Sequence, residues 1–429
     1  MGEVVTSGAV TLEWAGRRSD RSEGKRRMGT STNLLWLGGL NQSRVLDAVR
    51  RSDGVSRVEL AEQTGLTAQT VSNIVRRLLE DGLVLEDGRA TSRGGKPATV
   101  LRLNAGAYYA VGMHIDPAST TLVVTDLAGQ VVARTRRRTP SSQGPRRVID
   151  ALSRSVRAIV EQASVPDRIL GLGVATPGPL DTGDGTVTPP HLPGWRSVPL
   201  REALAEGTGL EVVVDNDATA ATIGERWAGG VERSSDMAFV YVGTGVGGGL
   251  VLDGRVYRGG TLNAAEIGHV TVDPRGPSCP CGNRGCLETY IAPHAVAADA
   301  ARRRGERPAD FERGQARTVA AYRRVCRDAQ AGDPVALEVV AAAGRRLGEA
   351  ATTLLNLVDV PLVVLGGWGM SHVGELYGAE LLSAVSERSI ARSVRRVRVE
   401  TSSIGEDVGA IGAASLVLHS AYSPKLTSV

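Results

Sequence analysis

The chain has 429 residues, 42% of them hydrophobic and 22% charged, with a net charge of +4. That length implies two or three domains with ample core, and the balance is that of an ordinary globular protein. No apolar run approaches the roughly 20 residues that cross a bilayer, and the start lacks the basic, apolar, small-residue order of a secretory signal, so membrane-spanning and secreted classes are set aside and a cytoplasmic protein is expected.

Residues 1–40 are rich in Gly, Ser, Thr and Arg without a sustained apolar period, and are predicted to be a disordered basic leader. Arg17, Arg18, Arg21, Lys25, Arg26 and Arg27 crowd this stretch, while the later chain is balanced. Met28 offers an alternative start, and a flexible arm on DNA phosphates is a third reading. The small positive charge permits nucleic-acid binding without establishing it. The dominance of Arg among the basic residues is more simply a GC-rich coding bias than a functional preference.

From Asn41 the pattern turns helical. Val45, Leu46 and Val49 mark a first helix, broken at Ser52-Asp53-Gly54, and Ser56 caps a second carrying Val58, Leu60 and Ala61. After the turn Thr64-Gly65-Leu66, Thr67 caps a third helix that runs to Asp81 and stops at Gly82. Strand-like stretches follow at 83–86 and 99–103, joined by a loop of Gly, Arg, Ser and Lys. Residues 41–104 are therefore predicted to form a winged helix-turn-helix domain.

On the third helix Val71, Ile74, Val75 and Leu78 fall on one stripe. Gln69, Asn73 and Arg76 lie opposite, flanked by Thr70, Ser72 and Arg77. One face can pack on partner helices while the other offers donors and acceptors to base edges and phosphates in a major groove. In the loop, Arg89, Arg93 and Lys96 stand among glycines, as suits a wing that lays cations along a minor groove or backbone. The plainer alternative is a small three-helix interaction module with a polar face. Helix and wing together favour double-stranded DNA.

After Asn104 strands and helices alternate. Strands are predicted at 111–115, 121–126 and 131–137, a helix at 145–162 and a buried strand at 169–174. A second set begins near Met237, with strands at 238–242, 249–252 and 255–257, largely helical sequence over 300–356 and a buried strand at 362–366. Three hairpin-connected strands followed by αβ units, twice, is the plan of a two-lobed α/β domain over 105–429. Lobe I is expected to span about 105–235 plus the C-terminal helix, and lobe II about 236–410.

Three of the four cysteines share one loop, giving H-x9-C-x-C-x4-C from His269 through Cys279 and Cys281 to Cys286. Three thiolates and one imidazole make a closed tetrahedral set, which suits one structural Zn2+ rather than a catalytic ion. Three free thiols would instead leave a reactive cluster without evident purpose. Cys326 stands apart, as a small buried hydrophobe or a surface thiol.

Glu266 and His269 in E-x-G-H, and Glu288 just after Cys286, bracket this loop with groups that can read sugar hydroxyls. Upstream, 212–218 reads as a strand, a polar turn and a helix start. Asp217 at that junction can accept a proton from a substrate hydroxyl, or it can be a plain N-cap. The neighbouring Asn216 favours a ligand site.

Taken together, Val240-Tyr-Val-Gly243-Thr-Gly245-Val-Gly247-Gly248-Gly249-Leu, Glu266-Ile-Gly-His269 and Cys279-Pro-Cys281-Gly-Asn-Arg-Gly-Cys286-Leu-Glu288 closely resemble the signature of the ROK family of repressors, open reading frames and sugar kinases. The resemblance covers roughly residues 41–420, and the N-terminal winged helix resembles the xylose-repressor and N-acetylglucosamine-repressor branch. It implies an actin-like, hexokinase-like pair of lobes with ligand in the cleft. It further implies that Asn216, Asp217, Glu266, His269 and Glu288 contact sugar hydroxyls, with Gly178 in a turn lining the pocket. Kinase members use the residue matching Asp217 as general base.

Such kinases cradle ATP phosphates with two glycine-rich hairpins, where free backbone N–H groups allow close approach. The second is intact here in Gly243, Thr244, Gly245 and Gly247, and Gly366-Gly367 match the family's adenosine-side glycines. The first, D-x-G-G-T in kinases, is replaced by Asp116-Pro117-Ala118-Ser119-Thr120. Proline deletes a donor and the missing glycines remove room for phosphate. His191 also stands where relatives usually have Asn. The expectation is a sugar-responsive repressor, homodimeric or higher on operator DNA, with a degenerate ATP site; the alternative is an ATP-dependent sugar kinase with an accessory DNA-binding head.

Overall fold

Ser56 opens the second helix as a capping box: its hydroxyl accepts from Glu59 N–H at 3.3 Å, and the Glu59 carboxylate accepts from Ser56 N–H at 2.8 Å. The computed structural model describes residues 40–89, 98–139, 143–189, 194–229, 236–308 and 316–422. Residues 1–39 of the predicted leader, Arg93, Lys96 and His191 lie outside them, while Leu40 already belongs to the first helix. The head comprises α1 (Leu40–Arg51), α2 (Arg57–Thr64), α3 (Ala68–Glu80), β1 (Val84–Arg89) and β2 (Thr99–Leu103). Thr67 caps α3 as expected, and Val71, Ile74, Val75 and Leu78 are buried against Val45, Val49, Leu60 and Leu101. β1 pairs antiparallel with β2 and runs to Arg89, past the expected end, through an irregular register between Glu86 and Arg89.

The body is built twice on one plan. The first half holds β3 (Tyr109–Ile115), β4 (Ser119–Asp126), β5 (Val131–Arg138), α4 (Pro145–Ala163) and β6 (Ile169–Thr176). It continues through a small sheet of β7 (Leu180–Asp181), β8 (Thr186–Val187) and β9 (Val198–Pro199), then α5 (Leu200–Thr208), β10 (Val212–Asn216) and α6 (Asp217–Ala228). The second half begins with β11 (Met237–Val242), β12 (Val246–Leu252), β13 (Arg255–Tyr257), α7 (Glu288–Ile291), α8 (Pro293–Arg303) and α9 (Ala316–Gln330). It ends with α10 (Pro334–Val358), β14 (Leu362–Gly366), α11 (Gly374–Arg388), β15 (Arg398–Thr401) and α12 (Val408–Tyr422).

The strand orders are β5-β4-β3-β6-β10 and β13-β12-β11-β14-β15. In each, an antiparallel meander carries two parallel strands beside its first member. Central strands such as β11 and β14 are buried throughout, which explains their unbroken apolar sequence. β5 lies at an edge and spaces exposed arginines along its length.

Helix α12 returns to the first sheet and lies against backbone. A Cβ on Gly173 would overlap Ala413 O, and one on Gly224 of α6 would sit 2.7 Å from Gly412 Cα. Ala410, Ile411, Ala414, Val417 and Leu418 of α12, with Trp227 of α6, share one apolar core with Val45, Val49, Leu60 and Leu78 of the head.

His419, half-buried near the end of α12, is pushed down to about 4 by burial and by the guanidiniums of Arg258 and Arg226, against the pull of Asp47. The unfolded chain takes up this proton near pH 6.5, whereas the fold refuses it until about pH 4. Above the unfolded value the two states do not differ. As pH falls between these values the fold loses up to about 3 kcal/mol. Wild type should therefore lose more Tm between pH 7 and 4.5 than His419→Gln, and equal losses would refute the assignment.

Candidate functional site

A cavity of about 400 Å³ opens between the two sheets. Gly178, Asn216, Asp217, Glu266, His269 and Glu288 all line it, as do Thr244, Gly245 and Gly247. Parallel strands deliver the first group: β6 runs into the turn at Gly178 and its neighbour β10 ends at Asn216, so that turn and the Asn216 side chain emerge at the same end of the sheet. Ligands of α/β sheets gather at such carboxyl ends.

The junction assigns the N-cap of α6 to the residue before Asp217. Asn216 is the N-cap: its side-chain oxygen accepts from Ala218 N–H at 2.9 Å and Thr219 N–H at 3.3 Å. Asp217 is the first helical residue, with one oxygen on Ala218 N–H at 2.9 Å and the other 3.8 Å from His114 Nε2. Tyr241 OH meets the same imidazole nitrogen at 3.3 Å. Burial, and then the Asp217 and Asp116 carboxylates, hold the Tyr241 phenol well above its ordinary value, so it stays neutral.

Glu288 is buried, and one carboxylate oxygen accepts from Val246 N–H at 2.9 Å. Gly245 makes room for it, since a Cβ there would stand 2.7 Å from Glu288 Oε2. Glu266 is pushed above the usual carboxylate range by desolvation and by the charges of Asp217 and Glu288, with His269 opposing. Behind the cavity, Arg258 pairs with buried Asp215 at 2.6 Å. Burial nonetheless keeps Asp215 above its ordinary value.

His269, Cys279, Cys281 and Cys286 offer ligand atoms that all lie within 4.8 Å of one another. Cys279 Sγ is 3.6 Å from His269 Nδ1, and Cys281 Sγ is 3.7 Å from Cys286 Sγ. Metal–sulfur bonds of about 2.3 Å at tetrahedral angles separate two sulfurs by about 3.8 Å, so the quartet fits one ion. Burial and the neighbouring sulfurs push the Cys286 thiol up to about 12. Gly285 adopts φ 62° where the loop folds under Asp273, and a Cβ there would collide with that carbonyl. Cys326, by contrast, is buried in the second core with its thiol pushed up to about 11 by burial, so it is a small core residue.

The two loops that correspond to the phosphate-binding hairpins of kinase members touch each other. Thr244 Oγ1 donates to Asp116 at 2.7 Å, and Thr244 N–H points to the same carboxylate at 3.3 Å. Both residues are buried. The remaining glycines have packing duties: a Cβ on Gly247 would stand 2.8 Å from that of Ala218. Gly366 and Gly367 line a separate cavity of about 510 Å³ with Met370, Ser371 and Thr401.

Sequence reading missed Tyr241, His114 and Asn263, which line or underlie the first cavity. Tyr241 and His114 sit within strands whose buried runs read as core. Asn263 lies three residues before Glu266, and its polar character in a loop was the available signal.

On the head, Gln69, Ser72, Asn73, Arg76 and Arg77 are exposed on α3, and Thr70 is half-buried with its hydroxyl 2.9 Å from that of Thr67. Arg76 and Glu80 lie 4.0 Å apart, too loose and exposed to occupy the guanidinium.

The ROK family model matches residues 110–420, and the MarR family model matches residues 39–94. The xylose repressor of Bacillus subtilis (strain 168) is 28% identical over 380 residues, covering 88% of this chain and 95% of that protein. The DNA-binding transcriptional repressor Mlc of Escherichia coli (strain K12) is 26% identical over 374 residues, covering 87% and 91%. The glucokinase of Thermotoga maritima is 30% identical over 317 residues, covering 72% and 96%. Among solved structures, a ROK family transcriptional regulator homologous to E. coli Mlc matches with a TM-score of 0.72 at 24% identity, over 89% of this chain and 96% of that one, a likeness of fold. The ROK hexokinase of Thermus thermophilus matches with a TM-score of 0.59 at 33% identity, over 72% and 97%. The matched stretch takes in both strand meanders, the cavity between them and the cysteine loop, and the chain belongs to the ROK family.

Proposed function

We propose that this chain is a sugar-responsive, DNA-binding transcriptional repressor of carbohydrate uptake or catabolism genes. The observation that carries this is the joining, through one apolar core, of a helix-turn-helix head whose α3 presents an exposed polar face to a body whose cavity is lined by groups suited to sugar hydroxyls. Residues 41–104 serve as the DNA head, with Gln69, Thr70, Ser72, Asn73, Arg76 and Arg77 toward the groove and Arg93 and Lys96 on the wing. Residues 105–429 serve as the sensor. The relatives' names, xylose repressor and repressor Mlc, support the reading.

In this mechanism Asn216, Asp217, Glu266 and Glu288 bind sugar hydroxyls, with Tyr241 and His114 beneath Asp217 holding its orientation. His269, Cys279, Cys281 and Cys286 hold one structural Zn2+, which supplies rigidity to the segment bearing Glu266 and Glu288. Two copies present paired heads to a palindromic operator in the cytoplasm, with half-sites about 34 Å apart. Sugar changes operator affinity only insofar as it binds the two conformations differently.

The test is a mobility shift on duplex DNA from upstream of the chain's own coding sequence, with D-xylose, D-glucose or N-acetyl-D-glucosamine. One sugar should alter affinity about tenfold, and no sugar should be phosphorylated from ATP. Protein that ignores the duplex with and without sugars overturns the reading. The second reading, an ATP-dependent sugar kinase with Asp217 as general base, draws on the T. maritima glucokinase likeness. Turnover with ATP that Asp217→Asn abolishes would establish it instead.

A further inference from the structure

One helix joins the cavity to the head. Helix α6 opens on Asn216 and Asp217 at the cavity wall and closes on Trp227 and Ala228, 12 residues later. At 1.5 Å per residue it spans about 18 Å. Its middle lies backbone to backbone on α12, with Gly224 against Gly412, so the helix has no soft side-chain layer there in which to absorb a shift.

The far end is gripped by Arg50 of head helix α1. The guanidinium carbon lies 4.1 Å from the centre of the Trp227 ring, and Arg50 Nη1 donates to Trp227 O at 2.5 Å. Arg50 Nη2 donates to Asp47 at 2.6 Å, and the arginine side chain is only 5% exposed. Burial raises the Asp47 carboxyl, but Arg50 and Arg51 outweigh it and hold Asp47 below its ordinary value, so the arginine is anchored within its own helix. Trp227 is anchored in turn, its indole N–H donating to Leu127 O at 3.1 Å.

The grip combines three favourable elements: a desolvated cation over an aromatic face, a donor on one of the carbonyls a helix end leaves unpaired, and positive charge at a helix C-terminus. Apolar neighbours around it, such as Leu46, Leu103 and Leu127, make contacts without fixed direction. The Arg50 fork is directional, because its donors address fixed atoms.

Given the reading of the cavity as a sugar sensor, on which this rests, we propose that Arg50 and Trp227 form the joint through which sugar occupancy sets the pose of the DNA head. A shift of the α6 N-terminus at Asp217 is delivered by a rigid helix to Trp227, and from there through Arg50 to α1 and the recognition helix. Neither residue lines the cavity or the exposed face of α3, so both are positioning residues.

Full-length Arg50→Met, Trp227→Leu and the conservative Trp227→Phe are compared with the unaltered chain. Calorimetry with D-xylose, D-glucose and N-acetyl-D-glucosamine should give sugar affinities within about twofold of wild type, while the roughly tenfold sugar effect on operator affinity falls below about twofold in Arg50→Met and Trp227→Leu. Trp227→Phe, which keeps an aromatic face, should retain most of the effect. A full sugar effect in both non-conservative variants overturns the joint.

If none of the sugars yields heat with the unaltered chain, the sensor reading fails, and the joint is decided separately by hydrogen exchange. Linkage is reciprocal, so operator duplex alone should change exchange at amides 218–222 of the unaltered chain. Loss of that change in Arg50→Met supports the joint; an identical change in both proteins overturns it.

Discussion

Cys286→Ser is expected to abolish zinc retention through gel filtration and to weaken sugar binding at least about a hundredfold. Cys286 is fully buried, and its backbone bridges to Thr271 at the other side of the loop. Leu287, next in sequence, is a core residue, and Glu288 follows as the first residue of α7 with its carboxylate on Val246 N–H. Serine is a poor substitute for a thiolate, and three remaining ligands leave the ion an open position. Without the ion, Cys279 and Cys281 no longer tie the loop to His269, so Glu266 and Glu288 must be ordered at the expense of sugar affinity. The head shares its core with α6 and α12 rather than with the cysteine loop, so operator binding without sugar should persist. Metal analysis and sugar calorimetry on wild type, Cys286→Ser and chelator-treated protein check this. Equal sugar affinity in all three would falsify it.

Asp217→Ala should produce the second large effect: loss of sugar affinity by about a hundredfold or more, with thermal stability almost unchanged. A carboxylate accepting sugar hydroxyls makes charge-assisted hydrogen bonds of about 1.5–3 kcal/mol each, and two of them account for that factor. Stability is spared because Asn216, not Asp217, caps α6. The contrast is Asn216→Ala, which should cost about 1 kcal/mol of stability through the lost cap in addition to any effect on sugar. Melting curves and calorimetry on both variants separate the roles. A melting point lowered equally by the two changes would return Asp217 to a structural role.

Much of this molecule is written locally. Ser56 and Glu59, three residues apart, close a capping box, and Thr67 starts the recognition helix where its hydroxyl can reach Thr70 N–H. The stripe of Val71, Ile74, Val75 and Leu78 follows from helical period, so α3 was readable as an element and as an orientation. The convergence of His269 with Cys279, Cys281 and Cys286 was readable too, because the three cysteines sit in one short loop. The repeated meander announced two similar sheets, though the strand orders could not be read from it.

The Asp116–Thr244 bond joins residues 128 apart, and the Arg50–Trp227 grip spans 177. Neither partner in these pairs is marked by local pattern, because each contact joins elements far apart in the chain. Tyr241 and His114 were hidden for a related reason: in a central strand covered on both faces, a residue turned toward a cavity has the same apolar neighbours as one turned into the core. Periodicity, capping and residue spacing act over a few residues, so the chain alone determined its helices, the exposed polar face of α3 and the clustering of His269 with three cysteines. Which loops close on each other, and which helix joins sensor to head, was decided only when the sheets and α12 packed, because those contacts depend on distances that no short stretch of sequence encodes.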